Sequence, residues 1–150
     1  MKRQFLKLAL AGVALALVSG CATGIKHEQM AASMPSLKAG QGRIYFYRTS
    51  SMIGAAIQPD IRLNGQVVGE SKPGGFFYVD RPAGNYVATA STETEKAVTF
   101  TLQAGETKYI RSSVGLGIIA GRVVLEPENR EKALSELNSL SYTGAPVAAR

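Results

Sequence analysis

DIRLNGQVVG, Asp60 to Gly69, is two short β-prone runs on either side of Asn64-Gly65. Asn-Gly is the pair that most readily takes the positive φ angles of a type I′ turn, whose twist matches that of paired strands. These ten residues read as a hairpin. The same alternation of strand and turn extends outward from it. Upstream, Arg43 to Arg48 (RIYFYR) is a dense aromatic and β-branched run, a strand by propensity. Downstream, GFFYVDRPAGNYVATAS (75–91) gives a strand at Phe76–Val79, a turn at Pro82-Ala83-Gly84 and a returning strand at Tyr86–Ser91. Ala97 to Leu102 (AVTFTL) alternates apolar residues with threonine, as a strand with one wet face does. Ala104-Gly105-Glu106 then turns the chain, and Lys108 to Val114 runs back. At least six short strands, each followed by a turn signal, define a mainly β chain: a single antiparallel β-sandwich of immunoglobulin or prealbumin-like kind. The domain spans Gly42 to Ser141, large enough for one core.

The C-terminal part changes period. Pro127 suits a first helical position and acids stand at the front. Ala133, Leu134, Leu137 and Leu140 form a narrow apolar stripe at helical spacing. One amphipathic helix is expected over Glu128–Leu140, packed on the sheet. Its polar face carries Glu128, Glu131 and Glu136 against Arg130 and Lys132, not the basic face of a membrane-surface helix. Residues 142–150 read as a loose tail.

SVGLGIIAGRVV, Ser113 to Val124, places Gly115, Gly117 and Ala120 at the spacing of a dinucleotide-binding fingerprint. That fingerprint needs a strand before it and a helix opening within it, inside a βαβ unit. The residues that follow are β-branched and glycine-punctuated, a poor helix, so the match is chance and no dinucleotide or other cofactor is expected. The segment reads as an apolar strand with glycines at bulges. Ser50 to Pro59 (SSMIGAAIQP) is similarly apolar and glycine-alanine rich, and follows the first strand as the other follows Lys108–Val114. Two such segments at one end of a sandwich, where loops carry function, make Ile53, Ile57, Leu116, Ile118 and Ile119 candidates for binding a partner.

The chain opens MKRQFLKLALAGVALALVSGC. Lys2, Arg3 and Lys7 precede an unbroken run of apolar and small residues from Leu8 to Val18, the layout of a secretory signal peptide over residues 1–20. The run is too short to cross a bilayer. Cys21 is the chain's one cysteine. Val18-Ser19-Gly20-Cys21 resembles the lipobox of bacterial lipoproteins. That resemblance implies that the Cys21 sulfur receives a diacylglyceryl group and that Cys21 becomes the mature N-terminus. Ala22, where lipoproteins held in the inner membrane of enteric bacteria have Asp, implies the outer membrane and its periplasmic face. Several fatty chains anchor a protein stably where one does not. From Ala22 to Gln41 the residues are small and polar and read as a flexible tether, reaching roughly 25 Å. His27, the only histidine, is expected to be solvated there. Loss of Lys2, Arg3 and Lys7 lowers the net charge from +6 to +3, with 14 basic and 11 acidic residues. Without a basic run, the sequence offers nothing to nucleic acid.

The groups of nucleophilic and metal chemistry are missing from the domain, since the histidine lies in the tether and the cysteine at the anchor. Asp60, Glu70 and Asp80 sit beside turns, where short acids serve the backbone. The sequence points away from an enzyme. Binding has other candidates: Tyr45 and Tyr47 share a strand face with Arg43, and Tyr109 with Arg111, as on glycan-binding sheets.

The lipobox, the RIYFYR first strand, IRLNGQVVG, FYVDRPAGNY and AGETKYIR together resemble a family of small bacterial lipoproteins whose domain is of unknown function. The Asn-Gly hairpin followed by Pro-Ala-Gly-x-Tyr is also similar to PEGA-type and carboxypeptidase-regulatory-like sandwiches. The resemblance implies a non-catalytic accessory domain and brings no site residues. The expected function is that of an outer-membrane-anchored, periplasmic interaction module for an envelope protein or peptidoglycan. The alternative is a small-ligand or glycan-binding sandwich.

Overall fold

A computed structural model describes residues 21–91, 97–115 and 121–144; residues 1–20, read from the sequence as a signal peptide, lie outside them. In chain order the elements are α1 (His27–Met30), a 3-10 turn (Ala31–Ser33), β1 (Gln41–Arg48), β2 (Asp60–Leu63), β3 (Gln66–Glu70), β4 (Gly75–Pro82), β5 (Gly84–Ala90), β6 (Val98–Leu102), β7 (Thr107–Gly115), β8 (Arg122–Glu128), α2 (Arg130–Leu137) and β9 (Ser141–Tyr142). Two sheets pack face to face. Sheet I has the order β8-β7-β1-β4-β9 and sheet II the order β3-β2-β5-β6.

The Asn64-Gly65 hairpin is present, with φ of 49° and 81° at the two residues. Alternation along each strand fills the space between the sheets. Ile44, Phe46, Phe77, Ile110, Val123 and Leu125 come from sheet I, and Ile61, Leu63, Ala88, Ala90 and Leu102 from sheet II. Phe46 and Phe77 are cross-strand partners and stack at 5.1 Å. Each large apolar side chain so buried contributes roughly 1.5–3 kcal/mol.

The sandwich is mixed rather than antiparallel throughout. β1 pairs in parallel with β7, and β4 with β9. The strands expected to return as hairpins cross between sheets instead. β4 lies in sheet I and β5 in sheet II, joined at Ala83, and β6 to β7 makes the opposite crossing at Ala104–Glu106. The physical reason is the core. Phe77 on β4 and Ala88 on β5 look at the same interior from opposite sides, so the apolar faces are buried by changing sheet.

Three further expectations change. Ser113–Val124 is not one strand: β7 ends at Gly115 and β8 begins at Arg122, its antiparallel partner. The next described element after the fingerprint spacing is that antiparallel strand; Gly117 and Ala120, with the rest of residues 116–120, lie outside the described residues. Pro127 does not open the helix. It sits in the edge strand β8, where a missing N–H is tolerated. Asn129 caps α2 by accepting a hydrogen bond from the Lys132 amide, 2.9 Å. Tyr142 belongs to β9 rather than to a loose tail, and pairs with Phe76.

The segment after Cys21 is a strap rather than a tether. The Ala22 amide donates to the Pro73 carbonyl (3.3 Å), Tyr142 N–H to Ile25 O (2.8 Å) and His27 N–H to Leu140 O (3.0 Å). The strap then crosses the outer face of sheet I. His27 and Met30 are buried there, and Met34 packs against the same cluster. It ends where Arg43 Nη2 donates to Pro35 O, 2.8 Å. Together with α2 it covers that face.

Candidate functional site

Alternation in β1 sends Ile44 and Phe46 into the sandwich and Tyr45 and Tyr47 to the outer face of sheet I, where Tyr109 of β7 joins them. The sequence offered these tyrosines as candidates for a glycan-binding face. It is a second core. Tyr45, Tyr47 and Tyr109 are 6%, 2% and 7% exposed, beneath Met30 of the strap and Ala133, Leu137 and Leu140 at the C-terminal end. Tyr45 stacks on Tyr109 at 5.4 Å, and its hydroxyl donates to Met34 Sδ, 2.9 Å. The Tyr47 hydroxyl donates to Glu136 Oε2 (2.7 Å), which also accepts from Arg111 Nε (3.1 Å). Burial, reinforced by the Glu136 carboxylate, raises the Tyr47 phenol pKa far above its ordinary value. Burial also raises that of Tyr45, against the pull of Arg43.

His27, expected in solvent, is 5% exposed, edge-on to Phe76 (5.2 Å) and Tyr45 (5.8 Å). Its Nδ1 is buried without a hydrogen-bond partner. Burial lowers its pKa, against a side-chain hydrogen bond with Asn138. Arg43 holds Asp80 through two hydrogen bonds, 2.7 and 2.8 Å, and lies 4.5 Å over the Tyr78 ring. That fork raises the Arg43 pKa and commits Asp80 to structure. Asp60 and Glu70 are cross-strand partners where β2 begins and β3 ends, and Glu70 pairs with Lys72 at 3.0 Å. Among the described residues no group of three or more His, Cys, Asp or Glu is placed to hold a metal ion.

The loop candidates do come together. β1 and its parallel neighbour β7 end, and β2, β4 and β8 begin, at one end of the sandwich. Arg48, the last residue of β1, is 2% exposed there. Its Nη1 donates to Ile57 O (2.6 Å) and Ser71 O (3.2 Å), and its Nη2 to Gly54 O (2.8 Å). Burial lowers its pKa, yet a guanidinium stays charged in proteins. Carbonyl dipoles meet that charge, and no described ion pair includes Arg48. Arg48 thereby fixes the path of the Ser50–Pro59 loop.

Gly54, at φ 68°, lies so close to β7 that a Cβ there would stand 2.7 Å from Val114 Cγ1. A Cβ at Gly121 would stand 2.6 Å from Ile57 Cδ1. The two apolar segments are therefore neighbours, as their sequence likeness suggested. Their residues divide. Ile53 is 65% exposed beside Met52 at 91%, whereas Ile57 packs on the core; Leu116, Ile118 and Ile119 lie outside the described residues. A cleft of ≈ 190 Å³ between Arg48, Thr49, Ser51, Ile53, Ser113 and Val114 is smaller than a typical small-molecule site. Met52 is the residue that sequence reasoning missed. It stood inside the quoted segment, and nothing in its type separated it from the buried methionines.

Cys21 is exposed at this same end. Among the described residues no helix is long and apolar enough to cross a membrane.

Fold and site define a two-sheet β domain strapped by residues 22–35 and by α2 to β9, with a pinned apolar loop at one end. Residues 38–123 match the family described as Protein of unknown function (DUF2846), and the chain belongs to that family. A similar protein is an uncharacterized protein of Haemophilus influenzae, 32% identical over 146 residues that span 92% of this chain and 86% of that one. Its similarity reaches beyond the family match, into the strap or the C-terminal elements. No solved structure matches.

Proposed function

We propose that the protein is a lipoprotein of the outer membrane, lipidated at Cys21 and facing the periplasm, whose β-sandwich is a non-catalytic interaction module for an envelope protein or peptidoglycan. One contrast carries the reading. Sheet I buries its outer face under the chain's own ends, while no described element packs on the outer face of sheet II. That face presents Val67 (51% exposed) and Val87 (39%) among Asn85, Thr99 and Thr101. Cys21, exposed and one residue from a backbone hydrogen bond to the domain, gives a lipid a fixed point of attachment. The lipobox and Ala22 support the lipid and the outer membrane. The buried tyrosines offer no platform to a glycan, so the glycan reading draws no support from them.

Photo-crosslinkers at Val87 and Thr99 in the full-length protein, irradiated in intact cells, test the module. Capture of one envelope protein, or of peptidoglycan, at both positions supports it; no capture at either sinks it. Lipid labelling tests the anchor separately. Cys21→Ser is expected to lose the label and leave the membrane fraction, and a variant that keeps both refutes lipidation at Cys21.

A further inference from the structure

The chain places the anchor residue and its most exposed apolar residues against one corner of the fold. That corner is the Pro73–Gly75 connection leading into β4. Ala22 N–H donates to Pro73 O at 3.3 Å, and a Cβ at Gly75 would stand 3.2 Å from the Ala22 Cβ. A Cβ at Gly74 would stand 2.6 Å from Ser50 Oγ. Cys21 is one residue from Ala22, and Met52 two from Ser50. At no more than about 3.8 Å per residue, both lie within roughly 15 Å of this corner. Among the described residues, the exposed large apolar side chains are Ile25, Met52, Ile53, Val67 and Val87. Ile25 belongs to the strap beside Cys21, Met52 and Ile53 to the loop, and Val67 and Val87 to the outer face of sheet II.

We infer that this end of the sandwich is a membrane-docking surface, on which Met52 and Ile53 enter the interfacial region of the bilayer that holds the Cys21 lipid. The inference rests on lipidation at Cys21 and names the partner of the loop end. The strap makes the geometry binding. A flexible tether would leave the domain free to turn any face to the membrane. Here the residue after Cys21 is hydrogen-bonded to the corner, so the acyl chains leave the protein where the loop stands. The loop is also fixed, through Arg48 on the carbonyls of Gly54 and Ile57, with Ile57 packed on the core and Met52 and Ile53 exposed. Interfacial segments bury their apolar side chains ≈ 5–10 Å into the headgroup boundary, within reach of such side chains. Because the anchor holds the loop at the surface, even a modest apolar gain orients the domain, as a second attachment does in any tethered pair. Docked in this way, the protein keeps the outer face of sheet II clear of the lipid.

The test uses the lipidated full-length protein. Its native thiol is blocked by the lipid, so a single introduced cysteine carries an environment-sensitive fluorophore. Met52→Cys, Ile53→Cys and, at the opposite end, Ala104→Cys are labelled and reconstituted in vesicles of phosphatidylethanolamine and phosphatidylglycerol containing spin-labelled lipid. Docking gives blue-shifted emission and roughly fivefold stronger lipid quenching at 52 and 53 than at 104. Vesicle-bound protein with equal, weak quenching at all three positions overturns the docking and leaves the anchor standing. A probe at 52 or 53 shielded from iodide but not quenched by lipid marks a protein contact and also overturns it. Protein that carries no lipid and fails to bind vesicles refutes the anchor, and the docking falls with it.

Discussion

Removing one hydroxyl from the face of sheet I that we read as a second core tests how its helix is held. Tyr47→Phe keeps the ring, 2% exposed, and deletes the 2.7 Å bond to Glu136 Oε2. A hydrogen bond to a charged group contributes about 1.5–3 kcal/mol. Glu136 keeps its 3.1 Å bond from Arg111, and its side chain is 20% exposed, so water can occupy the vacated site. The expected cost therefore lies at the lower end, about 1.5 kcal/mol, or roughly 6 °C in Tm for a domain of this size. Glu136→Ala in both backgrounds isolates the pair, and a coupling of about 1 kcal/mol is expected from urea denaturation of residues 21–150 carrying Cys21→Ser. A coupling below roughly 0.3 kcal/mol, within the error of additivity, would show that this bond does not hold α2 to the sheet.

Acid should loosen the strap. The His27 pKa is depressed in the fold, so between that value and 6.5 the unfolded chain binds the proton that the folded chain refuses. Stability is then full above pH 6.5 and falls as pH drops below it. Urea titrations at pH 7.5 and 5.5 measure the loss, and His27→Leu should reduce it. Gly54→Ala meets both a left-handed φ and Val114, and should cost about 1–3 kcal/mol by the same denaturation assay, part of it recovered by Val114→Ala. Leu137→Ala, at a fully buried site, should cost about 3–4 kcal/mol, and half-buried Leu134→Ala distinctly less.

Local chemistry was legible where it was strong. Asn64-Gly65 announced its turn, RIYFYR its strand, and Ala133 and Leu137 the buried side of the C-terminal helix, which stops short of Leu140. Sheet membership was not, because alternation says which side chains point inward and not from which side of the core. Pro82-Ala83-Gly84 therefore read as a hairpin turn when it is a corner between sheets. The strap was hidden for a different reason. His27, Met30 and Met34 stand at helical spacing, but among small and polar neighbours they lack the density of an apolar face. What they cover was also misleading, since tyrosines beside arginines on a strand describe an open binding face as well as a covered one. Arg48 carried no signal at all: its role depends on the carbonyls of Gly54 and Ile57 in the loop that follows its strand and of Ser71 farther along the chain.

The strap makes the two ends of this chain depend on each other. Ile25 receives its hydrogen bond from Tyr142, and Lys26 bridges to Ser141, so the start of the strap finds its place only when β9 has been added. A polypeptide that emerges N-terminus first must leave its opening segment unseated through most of its passage. During that interval Cys21 stands on a loose chain. Closure of β9 then draws the segment down and holds Cys21 near the body of the domain. β9 thus acts as a latch on the strap, and a chain truncated just short of it would keep its sandwich core but leave Cys21 on a loose cord.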